Sequence, residues 1–344
     1  MVEIGVVILL SVHLLLVDIA MVSPLLCVWL EWRDSRYDDR LAAGASTTLA
    51  RIALGALAGG IALGFLLLAI RWWQVDRAYL SALTSVPASR LWFGLAELGF
   101  YFVCMGAYLS LWSRWRRRRI FHRTLAIAAA SNLMIHFPAL FAIVSVMSTR
   151  PELMGHALDR ADFQRLLVDS EVLSRVVHVW LASIAIGGAV VMGLGLHFAR
   201  DPQQRTGAAR IIQRGALIAL VPMLLQIPSG LWVALEIPES ARDPLFGGDW
   251  FASGLFVTAV VSALILMHRL AGIALGDHNP NQIRLSIAAM LLIMLLMVGT
   301  RSRVQKFLVR SQTEAPDSTE WTFIANRDDL SLASAETSGP IVEP

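Results

Sequence analysis

Eight charge-poor apolar stretches dominate the chain, near 5–30, 50–71, 91–113, 124–147, 174–198, 211–235, 250–268 and 284–307. Each reaches or approaches the roughly 20 residues that an α-helix needs to cross a hydrocarbon layer ~30 Å thick. Backbone amides in lipid must find their hydrogen bonds within the chain, which leaves helices as the form such stretches take. The pattern predicts an all-α, polytopic transmembrane bundle of about eight helices. The last stretch is the weakest, since only Leu285 to Thr300 is free of charge. Composition agrees: 56% of the residues are hydrophobic and 16% charged, against about 25% charged in soluble domains.

The remaining charges are mostly topological. Lys306 is the only lysine, and the connections after stretches 1, 3, 5 and 7, with their flanks, hold 16 arginines against 8 after stretches 2, 4 and 6. Arg114 and Arg116 to Arg119 dominate the first set. Positive charge concentrates on the cytoplasmic side of membrane proteins, so the N-terminus is expected outside. The first stretch lacks a basic leader and a small-residue cleavage site, and reads as a retained helix. Arg301, Arg303, Lys306 and Arg310 then fall on the outer side, against the rule, so either something outside needs those charges or the last stretch does not cross. Basic residues confined to loops between apolar spans exclude a nucleic-acid partner. Cys27 and Cys104 both lie in apolar spans and offer neither a disulfide framework nor a thiolate metal site.

Between stretches 4 and 5, Phe163, Leu166 and Leu167 at helical spacing predict a short amphipathic helix on the outer surface. The chain divides into a bundle at 1–236, two further spans at 237–311, and a polar, loosely ordered tail at 312–344. Gly55, Gly59, Gly60 and Gly64 in stretch 2, and Gly187, Gly188, Gly193 and Gly195 in stretch 5, fit either close helix packing or room for a large flat cofactor.

Ionisable groups within a bilayer are costly and point to function. Asp18 and Glu97 are the acids well within the spans, joined by His13, His136 and His178. At ~1.5 Å per residue, His13, Glu97, His178 and His136 lie roughly 12, 9, 6 and 16 Å from the outer ends of four different helices. Imidazoles in apolar helices, without thiolates or a carboxylate cage, suit haem iron better than zinc or calcium. Asn132, one turn before His136, is placed to orient its second ring nitrogen. Asp18 faces a different neighbour from His13, as a proton-path group or as the partner of a serine or threonine on another helix. His122, His197 and His268 lie at cytoplasmic ends, where interfacial solvation accounts for them, and His156 and His278 fall in loops.

Several segments, in order, resemble subunit I of the cytochrome bd quinol oxidases. They are His13 to Glu31, Leu95-Ala96-Glu97-Leu98-Gly99, Ser131-Asn132-Leu133, Val177-His178 with Gly187, Gly193 and Arg200-Asp201, and Ser229-Gly230. The likeness runs over roughly residues 5–232. It implies haem (b-type, and a d-type centre in the family) with His13 and His178 as axial ligands, Glu97 beside the active-site haem, and a second membrane subunit or larger respiratory complex as partner. His136, which the family does not lead one to expect, is a candidate replacement ligand. Arg301 and Arg303 are candidates to pair with haem propionates. The chain departs from the family at 237–249, where the large quinol-binding loop is missing, at Met105 in place of a second glutamate, and near Leu255 in place of a ligating methionine. It also has no counterpart of the ninth helix.

These residues support a haem-binding membrane subunit of a cytochrome bd-like electron-transfer complex, with oxygen reduction as its furthest reach and Glu97 and Asp18 as catalytic candidates. The alternatives are a haem relay that passes electrons to a partner, and a haem-free structural or transport subunit. The electron donor is not legible.

Overall fold

The computed structural model describes residues 2–37, 39–74, 77–115, 119–150 and 158–314. His156 and most of the predicted 312–344 tail lie outside them. Twelve α-helices follow in order: α1 (Val2–Tyr37), α2 (Arg40–Trp73), α3 (Arg77–Ser85), α4 (Ala88–Ser110), α5 (Trp112–Trp115), α6 (Arg119–Met147), α7 (Arg160–Leu167), α8 (Ser170–Phe198), α9 (Arg205–Glu236), α10 (Glu239–Arg242), α11 (Trp250–Leu275) and α12 (Pro280–Glu314). Among the described residues there is no strand. Eight helices, α1, α2, α4, α6, α8, α9, α11 and α12, are long and apolar enough to cross a membrane. The weak last stretch is part of a continuous helix, whose segment from Pro280 to Gln305 is long and apolar enough to cross.

Local chemistry sets the helix ends. Asp39, Asp159, Asp169 and Asp249 accept hydrogen bonds from the first-turn amides of α2, α7, α8 and α11, satisfying N–H groups that have no intrahelical partner. Gly276 ends α11 in the left-handed conformation at φ 119°, which costs glycine little. The predicted surface helix is α7, with Phe163 and Leu166 buried beneath it.

Hydrogen bonds at the two ends fix the alternation of the helices. At one end the C-termini of α1 and α4 meet the N-termini of α2 and α6 through Glu31, Tyr108, Ser46 and His122. At the other, the C-termini of α6 and α12 meet the N-terminus of α8 through Ser145, Arg301 and Arg175. The first end carries the arginine-rich connections, and the N-terminus of α1 lies at the opposite one. One core joins α1, α2, α4 and α6, and a second joins α8, α9, α11 and α12, with Ile19 of α1 packed against both. Because α12 also packs on α1 and α8, the helices beyond residue 236 belong to the same bundle.

Glycine packing is strongest between α8 and α9. A Cβ on Gly188 would lie 2.5 Å from the backbone of Gly215 and Ala219, and one on Gly195 2.5 Å from Ile212. Gly187 admits Val22 and Leu26 of α1. Close packing is therefore what these glycines do, whereas Gly55 and Gly193 border open space. Gly188→Ala must separate two backbones, since no flexible side chain can give way. Overpacking of this kind costs about 1–3 kcal/mol. Thermal denaturation in detergent should show this loss for Gly188→Ala and little change for Gly193→Ala. Equal effects would contradict the packing assignment.

Candidate functional site

The intramembrane histidines lie on helix faces that meet different neighbours. His13 of α1 points at α2, where its Nδ1 lies 2.8 Å from the Gly60 carbonyl oxygen. A carbonyl only accepts, so Nδ1 carries the proton and Nε2 is left with its lone pair. Among the described residues Nε2 has no hydrogen-bond partner. The ring fits because residue 64 is glycine: a Cβ there would come within 3.0 Å of His13 Cε1. Gly59 and Gly60 similarly receive Leu16 and Val17. The glycine run of stretch 2 is thus the seat of the α1 segment that carries His13.

His178 of α8 faces α9. Its Nδ1 lies 3.4 Å from Ser229 Oγ, and a Cβ on Gly230 would be in ordinary contact with its ring at 3.6 Å. Two residues on, Trp180 Nε1 donates to the Met134 carbonyl at 2.7 Å and ties α8 to α6. Asp18, buried on α1, meets α8 at Ser183, whose Oγ lies 2.7 Å from Asp18 Oδ1 and 2.8 Å from the Val179 carbonyl. Asp18 thus has a serine on another helix as its partner.

His136 and Glu97 form a third place, between α6 and α4. His136 Nδ1 and Glu97 Oε1 are in ion-pair contact, with Glu97 buried and the imidazole about half exposed. Phe93 meets the imidazole edge-on at 5.5 Å. Asn132 does not orient His136: its Nδ2 donates to the Glu97 backbone carbonyl at 2.8 Å. One turn of α6 aligns the two residues along the helix, but the amide side chain reaches the nearer α4 backbone. The shared depth of His13, His136 and His178 likewise does not make a common metal centre. Among the described residues no three His, Cys, Asp or Glu side chains are grouped to hold a metal ion. Equal height along the membrane normal leaves direction around each helix free, and these three histidines face α2, α4 and α9.

Past the apolar run of α12, Arg301 Nη2 donates to Ser145 Oγ at 2.9 Å, while the Arg303 guanidinium lies 4.8 Å from the Phe251 ring centroid.

Two polar networks escaped the sequence. The first lies at the arginine-rich end. His122 is not solvated at an interface but 2% exposed, with Nε2 2.7 Å from the Tyr108 carbonyl and Nδ1 2.9 Å from Glu31 Oε2. The Tyr108 hydroxyl and Arg123 also address Glu31. Ser46 continues the chain to Tyr108 at 2.8 Å and to the Cys27 carbonyl. α1 extends beyond its apolar stretch to Tyr37, which carries Glu31 into a polar bundle end instead of ending it in water. The second network joins Arg150, Arg175, Asp169, Glu171, Ser145 and Arg301 at the opposite end.

No family model matches the chain, and no curated protein does. Among solved structures, the bd oxidase from Geobacillus thermodenitrificans has the same fold, with a TM-score of 0.69 at 14% sequence identity, over 89% of this chain and 85% of that one. The likeness is one of fold, a cytochrome bd-like helical bundle spanning most of both chains.

Proposed function

We propose that this chain is a haem-binding membrane subunit of a cytochrome bd-like electron-transfer complex, in a bacterial cytoplasmic membrane with its N-terminus outside. The observation that carries the reading is the His13–Gly60 hydrogen bond. Histidines that bind a metal through one ring nitrogen commonly donate the other N–H to a carbonyl, which fixes the tautomer and raises ligand basicity. His13 has that arrangement, inside an apolar bundle whose fold matches that of a bd oxidase. His178 is the second proposed axial ligand, oriented by Ser229.

A haem held at these positions would supply one-electron chemistry. The chain's own residues bind, orient and handle protons. Glu97 Oε1 and His136 Nδ1 meet at the junction of α4 and α6, where the pair can pass a proton. The Ser183 hydroxyl lies within donating distance of both Asp18 Oδ1 and the Val179 carbonyl; when Asp18 takes up a proton it can donate to Ser183 Oγ and leave the hydroxyl to Val179. This makes Asp18 a proton-holding group linking α1 and α8. Its neighbours across the α1–α8 interface, Val22 and Leu26 against Gly187, keep the surroundings apolar.

The His136 contact also gives substance to a relay without oxygen chemistry, since it occupies the Glu97 carboxylate. The test is a reduced-minus-oxidised visible spectrum of the purified protein, followed by oxygen consumption with an artificial donor. Haem bands are expected. Oxygen uptake identifies an oxidase, and haem bands without uptake identify a relay. A colourless, band-free preparation contradicts both.

A further inference from the structure

At the end of the bundle that bears the C-terminus of α12, two guanidiniums converge on one neutral oxygen. Arg175 Nη1 and Arg301 Nη2 donate to Ser145 Oγ at 2.8 and 2.9 Å. Like charges this close repel, and more strongly where water is scarce. Glu171 compensates part of the charge, since it receives both Arg150 and Arg175, and Asp169 receives Arg150 at 3.2 Å. Three guanidiniums thus face two carboxylates. Arg301 has no carboxylate within ion-pair distance among the described residues. Arg71, whose guanidinium stacks over Tyr79 at 4.5 Å, adds a further positive charge acting on Arg301. Arg175 also keeps a buried Nε–H without an acceptor. Unused donors and uncompensated positive charge therefore coincide, while Arg301 itself remains exposed.

We propose that the Arg175–Ser145–Arg301 node binds a phosphate group, supplied by the headgroup of an anionic phospholipid or by free phosphate. Arginine forks match phosphate oxygens with paired N–H bonds, and basic pockets between transmembrane helices hold lipid headgroups. Arg301 directly follows the apolar run Leu285 to Thr300, which sets it at headgroup level. The donors arrive from α8 and α12, with the Arg150 guanidinium behind them. A tetrahedral phosphate can meet donors from several sides, whereas a haem carboxylate presents two oxygens in one plane. The site does not depend on haem being bound.

The test uses the full chain in nanodiscs of phosphatidylglycerol or phosphatidylcholine, and in detergent with inorganic phosphate against chloride at equal ionic strength. Thermal stability and retained phosphorus are read for the wild type, Arg301→Gln and Arg301→Lys. Phosphatidylglycerol is expected to raise the Tm of the wild type above its value in phosphatidylcholine, with phosphorus retained through purification. Arg301→Gln should lose most of both, and Arg301→Lys, which keeps the charge without the fork, a part. If inorganic phosphate alone reproduces the rise, the source is free phosphate; if only the lipid does, it is the headgroup. No rise with either, or a higher Tm for Arg301→Gln in every condition through relief of repulsion, overturns the proposal. So does loss of the lipid effect when haem is loaded, because the node would then serve the haem carboxylates. If Arg301→Gln does not fold, Arg301→Lys and the wild-type comparison decide.

Discussion

Glu31→Ala is expected to destabilise the protein by about 3–5 kcal/mol, the range for removing one partner of a buried ion pair. The side chains of Glu31 and His122 are 6% and 3% exposed, so water cannot take over the lost contacts. His122 Nε2 donates to a carbonyl and Nδ1 pairs with the carboxylate. Without Glu31, a ring proton, the Tyr108 hydroxyl and the Arg123 guanidinium lose their common acceptor. The loss reaches four helices, because the network joins α1, α2, α4 and α6. Denaturant titration in detergent measures it. A double-mutant cycle with His122→Ala should show a coupling energy, with the double variant less impaired than the two single losses combined. Additive losses, or a Glu31→Ala loss below about 1 kcal/mol, a value ordinary for exposed pairs, would contradict a buried network.

The second large effect concerns a residue with no ligand atom. Gly64→Val should abolish haem binding at the His13 position about as completely as His13→Ala. A Cβ at residue 64 already comes within 3.0 Å of His13 Cε1 and 3.5 Å of Nδ1. Valine adds two methyl groups on the same side and displaces the imidazole from the Gly60 carbonyl. The ring then loses both its fixed tautomer and its direction, and a misplaced ligand is as ineffective as an absent one. Gly55→Val, on the same helix with open space around residue 55, is the control and should keep its haem. Haem content per protein, with the position of the Soret band, checks this. Full haem content in Gly64→Val would show that the His13 seat does not matter.

Part of this structure was legible in the sequence. Apolar length and arginine distribution predicted eight crossing helices and their alternation, because burying backbone in lipid admits few solutions. The short amphipathic helix α7 followed from the same reasoning, whereas the basic residues after Thr300 left the crossing of the last stretch open. Azimuth and partner identity did not. The Gly-x-x-x-Gly registers of α2 were visible, but only the packed bundle shows that Gly60 and Gly64 receive His13. Asn132 and His136 share a face, yet Asn132 reaches across to α4, because a side-chain amide takes the nearest free acceptor. His122 and Glu31 were masked by the ends of apolar stretches, since helices run past the hydrocarbon and bury polar groups against one another there. Arg301 was conspicuous as a charge on the wrong side, but its meeting with Arg175 at Ser145 joins residues 156 positions apart in the chain.

The central claim is that His13 and His178 hold haem in this bundle. The most direct measurement is a pyridine haemochrome assay on the purified wild type and the His13→Ala/His178→Ala double variant, both verified as folded. The account predicts haem in the wild type and its loss from the double variant. Haem-free wild-type protein, or unchanged haem content in the double variant, would contradict it.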